Sequence, residues 1–386
     1  MLGATKDRKL VTAMVGSFPR PTWFIESMRG RTFREAMADS LYREQYLDAL
    51  ACYISEQERA GLDILTDGDA RFDLEVGGRS WFFYVLERLG GLGAMTDAAA
   101  FREVTGARPG QILFEVHEAL QAPTVTGKIE RGSLQYAAMW KTAQKMSSKP
   151  IKFGAITGAP LTSVMRNEFY PNDQALMMDL AAALNEELLE LDAAGCPIIQ
   201  IEEPTHHIAC ISSPPASEKE LEFLTAAFNR EVRGLKTEIW AHTCWGNPNQ
   251  QSFYWERPSY ERSIPYLLSL DADVVMLECS RSLAKDLGAL DRIKTDKKIA
   301  IGVVDHTNTT VEPAEMVATT IRNALKHVPP ERLIVTSDCG FGREGMSRRI
   351  AFYKCVSLVQ GTNIVRRELG LPEAEVRAAD PRFALD

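Results

Sequence analysis

The chain has 386 residues, 45% hydrophobic and 25% charged, with a formal net charge of −8; these are globular values, and the sign argues against a nucleic-acid surface. No run of about 18 apolar residues occurs, and MLGATKDRKLVTAMVG at the start lacks an apolar core of signal-peptide length, so no membrane partner and a cytoplasmic location are expected. Seven cysteines, an odd number scattered along the chain, do not read as a disulfide framework.

Eight short apolar runs end in small polar or charged clusters and are the expected strands. In chain order they are TAMVGSFP (12–19), LDILTDGD (62–69), IKFGAITGAP (151–160), PIIQIEEP (197–204), TEIWAHTC (237–244), DVVMLEC (273–279), KIAIGVVD (298–305) and RLIVTSDCG (332–340). Stretches of helical periodicity lie between them, such as 173–195 and 312–328. Apolar strands alternating with helices imply a parallel sheet buried on both faces. Eight such units predict an α/β fold, a single (β/α)8 TIM barrel over residues 1–386. A doubly wound open sheet is the alternative, but no G-x-G-x-x-G follows any of the runs. Residues 80–135 break the rhythm. There ILFEVHEAL and APTVTGKI read as the extended pieces of an inserted hairpin.

Polar residues gather at the strand ends, where a barrel presents its active site. His242 and Cys244 are two apart at the end of the fifth run, and in an extended segment both point to one side. Glu278 closes the sixth run and Cys339 the eighth. An imidazole, two thiols and a carboxylate converging on one ion favour Zn²⁺. The plainer reading stands beside it: an H-x-C pair recurs by chance, and Cys244 and Cys339 suit small buried hydrophobic positions. Glu278 ending an apolar strand would be costly unless paired. Cys279 competes for the same role but faces away from its neighbour. Cys52, Cys196, Cys210 and Cys355 read as structural.

Two thiolates and a carboxylate on zinc leave about one net negative charge, a poor site for making hydroxide. Such a zinc still holds an incoming thiol as thiolate, which suits carbon–sulfur bond formation better than hydrolysis. Asp67 and Asp69 in TDGD, and Glu202 and Glu203 in IEEP, either grip a substrate ammonium or cap the following helix. Ser17 in GSFPRP offers a turn for a carboxylate. Asp305 and His306 in GVVDHTNTT are the candidate proton donors. His206 and His207 read as loop residues.

The ordered set GSFPRP, LTDGD, GAITGAP, QIEEP, HTCWG, LECSRS, GVVD and SDCGFG resembles the catalytic C-terminal barrel of cobalamin-independent methionine synthase, from about residue 12 to 360. The resemblance implies a (β/α)8 barrel that moves a methyl group from a methylated folate to zinc-bound homocysteine. It implies His242, Cys244, Glu278 and Cys339 as zinc ligands, and Ser17, Asp69 and Glu202 as homocysteine contacts. The chain departs from the pattern in four ways. It has no room for the second, N-terminal barrel of the long enzymes, and TGAPLTSVMRN carries no tryptophan. Asp69 and Glu202 exchange the carboxylate lengths expected there, and the family's catalytic histidine falls on Thr307, one position after His306.

The expected partners are therefore a homocysteine-like thiol and a methyl or alkyl donor, with a homo-oligomer or a methyl-delivering protein compatible with the sequence. A second reading joins a sulfonate-bearing thiol to an epoxide, as in epoxyalkane:coenzyme M transferases, with Arg20 or Arg71 meeting the anion. A third is a non-catalytic barrel with structural zinc.

Overall fold

A computed structural model describes residues 3–28, 30–71, 80–97, 109, 121–212, 214–244, 259–285, 287–342 and 346–379. Among them lie eleven strands: β1 (Val11–Thr12), β2 (Leu65–Thr66), β3 (Gly90–Asp97), β4 (Gln121–Glu130), β5 (Ile151–Ile156), β6 (Arg166–Asn167), β7 (Ile198–Glu202), β8 (Glu238–His242), β9 (Val274–Glu278), β10 (Lys298–Gly302) and β11 (Leu333–Thr336). The eight predicted runs supply one curled parallel sheet, in the order β1-β11-β10-β9-β8-β7-β5-β2. The two outer strands of that order meet through side chain and backbone. The Asp63 and Ile64 N–H groups donate to the Thr12 carbonyl at 3.1 Å, and the Asp63 carboxylate accepts from the Thr12 N–H at 2.8 Å.

Period two sorts the strand residues into two layers. Val11, Ile198, Trp240, Val274, Met276, Ala300 and Ile334 fill the lumen. Their chain neighbours Ile199, Ile201, Ala241, Val275, Leu277, Ile299, Ile301 and Val335 join the outer core beneath the helices. Each such aliphatic side chain contributes about 1.5–3 kcal/mol relative to exposure. That double burial is why the strands read as unbroken apolar runs instead of alternating ones.

The predicted helices form with local signals that fix their starts. Helix Asp173–Ala193 is capped by Asn172, whose side chain accepts from the Ala175 N–H at 2.8 Å. Helix Ala314–Ala324 buries Val317, Ala318, Ile321 and Ala324, a helical stripe against the sheet. No helix among the described residues is long and apolar enough to cross a membrane.

The inserted region does form a β element, with a different pairing. β4 contains the predicted piece APTVTGKI, but its antiparallel partner is β3, and β6 adds alongside in parallel. The other predicted piece, ILFEVHEAL, lies outside the described residues. The glycine-rich GGLGAMTD of β3 hid the strand, because glycine carries no β preference.

The amino end of the barrel is plugged. Buried Glu238 accepts from the Gly3 N–H at 3.1 Å, the Thr5 N–H at 2.9 Å, the Thr5 hydroxyl at 2.7 Å and the Trp240 indole at 2.8 Å. The carboxyl ends of the strands are left to form the mouth.

At the seam, Asp63 also pairs with Arg366 at 2.6 Å and Arg8 at 2.9 Å. Burial alone would raise its pKa, yet Arg366, the Thr12 N–H and Arg8 together hold it below the usual 3.8. A carboxyl so depressed gives stability that is present above the ordinary carboxylate range and lost as pH falls below it. Asp63→Ala leaves the Arg366 guanidinium without this partner, and we expect a loss of about 3 kcal/mol at neutral pH. Urea unfolding at pH 7 and pH 3 measures it, and the gap between variant and wild type should narrow at the lower pH.

Candidate metal and substrate site

Strand ends and their alternation bring the predicted residues to one mouth. Glu202 and His242 close β7 and β8 and are register partners. Both fall in the inward set of their strands. The His242 Nδ1 bonds to Glu202 Oε2, and its Nε2 lies 3.2 Å from the Asp338 carbonyl. Burial would lower the pKa of this imidazole, but Glu202, Cys339 and the Asp338 carbonyl raise it to about 9.

The ligand atoms of His242, Cys244 and Cys339 all lie within 4.8 Å of one another, and all three residues are buried. A hydrogen bond to Cys339, burial, and the charges of Cys339, Glu278 and Glu202 push the Cys244 thiol well above its ordinary pKa. Glu278 adjoins the group from the end of β9. It is 2% exposed, and its N–H donates to the Tyr260 hydroxyl at 3.1 Å. Three of the four predicted ligands thus meet at binding distance, with the fourth beside them. Cys279 instead joins the outer apolar core. The donor set fits a divalent cation of borderline softness: thiols that release protons on binding, an imidazole already oriented through its other nitrogen, and a carboxylate.

The loops carrying these residues are tied together. Asp338 Oδ1 accepts from the Cys279 and Ser280 N–H groups at 3.0 and 3.1 Å, which joins the loops after β9 and β11. The Ser17 carbonyl accepts from the Phe341 and Gly342 N–H groups at 2.8 and 3.1 Å, and the Ser17 hydroxyl accepts from Gly342 at 3.1 Å. A Cβ on Gly340 would stand 2.3 Å from Ser17 Oγ. Only glycine lets the first and last loops approach so closely.

Asp69 reaches the mouth by an unusual backbone. Gly68 and Asp69 are both left-handed, with φ of 66° and 51°, a turn braced by the Asp69 N–H on Asp67 Oδ1 at 2.9 Å. Its carboxylate lies over Gly16, where a Cβ would come within 2.9 Å of Oδ2. Burial, with Asp67 and Glu202 adding, raises Asp69 to about 7 against the pull of Arg71. Arg71, 3% exposed, is committed to the protein. It pairs with Asp67 and Asp69 at 3.3 and 3.2 Å, donates to the Gly154 carbonyl at 2.6 Å and lies over the Phe153 ring at 4.4 Å. Arg20 likewise donates to the Phe24 carbonyl at 2.7 Å and covers the Phe24 ring.

A second cluster joins Asp305, His306 and Asp338 within 4.8 Å. Asp305 accepts from the Thr307 hydroxyl at 2.6 Å, the Thr307 N–H at 2.7 Å, Arg281 at 2.8 Å and Asn308 at 2.9 Å. Despite burial, these donors hold its carboxyl well below the usual carboxylate range. It stays ionised and orients its surroundings. His306, fully buried, is the imidazole of this cluster.

Two sequence expectations change. His206 and His207 are not loop residues; they sit buried in helix Thr205–Ile211. Glu203 accepts from the Thr205 N–H at 2.9 Å and faces His206 Nδ1 at 3.2 Å, which is the helix-capping alternative realised. Residues the sequence reading passed over also matter: Asp338, Gln200 and Lys152. Lys152 carried a signal, since a lysine inside an apolar parallel strand is costly unless something holds it.

The Gly302 position ties the second cluster to the barrel. A Cβ there would lie 2.1 Å from Asp338 Oδ1 and 2.5 Å from its Cα. Gly302→Ala should cost about 1–3 kcal/mol by overpacking and shift Cys339 through its neighbour, so that urea unfolding and divalent-metal uptake both weaken.

Comparisons with known proteins follow this geometry. A family model described as the catalytic domain of cobalamin-independent synthase matches residues 10–357. A methionine synthase of Saccharolobus solfataricus is 30% identical over 361 residues, covering 93% of this chain and 96% of that protein. A 2-hydroxypropyl-CoM lyase of Xanthobacter autotrophicus is 30% identical over 397 residues, covering 96% and 98%. Among solved structures, a B12-independent methionine synthase from Shewanella sp. W3-18-1 in complex with selenomethionine superposes with a TM-score of 0.74 at 26% identity, covering 94% of this chain and 99% of that one.

Proposed function

The chain belongs to the cobalamin-independent methionine synthase family, and from that premise we propose that it methylates homocysteine to methionine at a zinc ion held by His242, Cys244, Cys339 and Glu278. The observation that carries this reading is the convergence of His242, Cys244 and Cys339 within 4.8 Å. When bound, zinc supplies a Lewis acid that keeps an incoming thiol deprotonated at neutral pH.

The chain's own residues do the rest. Glu202 fixes the His242 ring through Nδ1. A carboxylate has about four lone-pair sites, so Glu202 retains capacity for the substrate ammonium, and an arriving ammonium would favour the ionised form of Asp69. Ser17 accepts from Gly342 through its oxygen, which leaves its hydroxyl proton to donate to the substrate carboxylate. His306 protonates the atom that the methyl group leaves, while Asp305 stays ionised beside it. The methyl passes to sulfur, the thiol proton is lost, and the donor gains one proton. A methylated folate is the donor the family implies, and a cytoplasmic location and a single catalytic domain go with this reading.

The 2-hydroxypropyl-CoM lyase relative favours a second reading, in which a sulfonate-bearing thiol attacks an epoxide. Such an anion needs guanidinium groups. Arg71 and Arg20 already serve Asp67, Asp69 and backbone carbonyls, and the carboxylates of Asp69 and Glu202 repel a sulfonate. The charge of the mouth favours homocysteine.

Cys339→Ala should abolish zinc content and turnover together, measured by metal analysis and methionine formation; retained activity would remove the reading. His306→Ala should keep zinc and lose turnover by about 10²–10⁴-fold. Thermal protection by homocysteine but not by coenzyme M, with one sulfur added to the zinc shell in X-ray absorption, separates the two catalytic readings from each other and from a structural zinc.

A further inference from the structure

A polar chain runs through the barrel lumen to the metal site from a residue outside it. Lys152 lies on β5, 1% exposed, with its side chain turned inward over the Trp240 ring, whose centroid is 5.4 Å from Nζ. Its ammonium donates to the Val15 carbonyl and to Gln200 Oε1. Gln200, also 1% exposed, passes the contact on: its Nε2 donates to Glu202 Oε1 at 2.6 Å. Glu202 Oε2 then meets His242 Nδ1. The strand register sets this up, because Gly154 pairs with Gln200 and Glu202 with His242, so residues at even positions of β5, β7 and β8 share the lumen.

Each link forces the next by donor–acceptor logic. A carboxamide can ordinarily point either way. Here the Glu202 carboxylate can only accept. Lys152, whose burial draws its pKa down to about 7 against the pull of Glu202, Asp69 and Asp67, gives its hydrogens to the Val15 carbonyl and Gln200 Oε1. Gln200 must therefore turn its oxygen to Lys152 and its amide hydrogens to Glu202. Glu202 is then anchored through one oxygen and accepts through the other, which requires hydrogen on Nδ1 of His242. Nε2 is left on the side of the Asp338 carbonyl, 3.2 Å away, next to the Cys339 backbone.

Resting on the reading of His242 as a metal ligand, we propose that Lys152 is a positioning residue that, through Gln200 and Glu202, sets the tautomer and orientation of His242. A lysine is suited to this because its charged form, which Glu202, Asp69 and Asp67 favour against burial, can only donate, whereas a residue without hydrogens to give would let the amide flip. The role concerns the geometry of the ligand and involves no contact with substrate.

The test uses two variants of the full chain and two readouts other than turnover. Lys152→Met keeps the side-chain length and removes every donor. Gln200→Glu keeps the contact with Lys152 and removes the hydrogen given to Glu202. Both should bind zinc about tenfold more weakly in competition with a chromophoric chelator, the lower end of the loss expected when the partners of a ligating histidine are disturbed. In the zinc-loaded wild type, nitrogen NMR of the His242 ring should show Nδ1 protonated and Nε2 on the metal, and the variants should show mixed patterns. If Lys152→Met does not fold, Gln200→Glu decides alone. Zinc affinity and a ring pattern equal to wild type in a folded variant overturn the positioning role and leave the proposed function standing. A wild type that takes up no zinc overturns the function and this role together.

Discussion

Negative charge gathered in a buried place is the constraint on which this molecule turns. Cys244, Cys339, Glu278, Glu202, Asp69 and Asp338 lie at the carboxyl ends of strands around the barrel, most of them barely exposed. A hydrogen bond to Cys339 and burial push the Cys244 thiol up, and burial pushes the Asp69 carboxyl up, with neighbouring acids adding to both. Such a set is at ease only when positive charge enters it. The protein supplies part of that charge itself, through Arg71 at one edge and Lys152 beneath. The remaining need matches a dication and an ammonium-bearing substrate.

The scaffold limits the cost of this crowding by giving several of the acids definite hydrogen-bonded roles. Asp338 is spent on the N–H groups of the loop after β9, and Asp305 on Thr307 and Arg281. Glu203 caps a helix. Those assignments separate acids that build the mouth from acids that face it. They also separate the two candidates for proton transfer: an aspartate held ionised and a histidine beside it.

Much of this was legible in the sequence because barrels place chemistry at strand ends. The eight runs, the grouping of His242, Cys244 and Cys339, and the adjoining Glu278 follow from where each run stops and from period two. What was not legible depends on contacts between strands far apart in sequence. Nothing in IKFGAI says that Lys152 meets Gln200, since that requires the register of β5 against β7. The capping role of Glu203 and the burial of His206 and His207 depended on where helix Thr205–Ile211 begins. β3 was missed because its glycines carry no strand signal, and its pairing with β4 comes from tertiary contact.

Ser17 and Cys339 stand 322 residues apart in number, yet the loops that bear them interlock through Gly340 and Gly342. The site therefore straddles the seam where the first strand meets the last. During synthesis His242 and Glu278 emerge well before that junction can form. A growing chain remains without a complete binding centre until its final strand has docked, so completing the ring and becoming competent are a single late event.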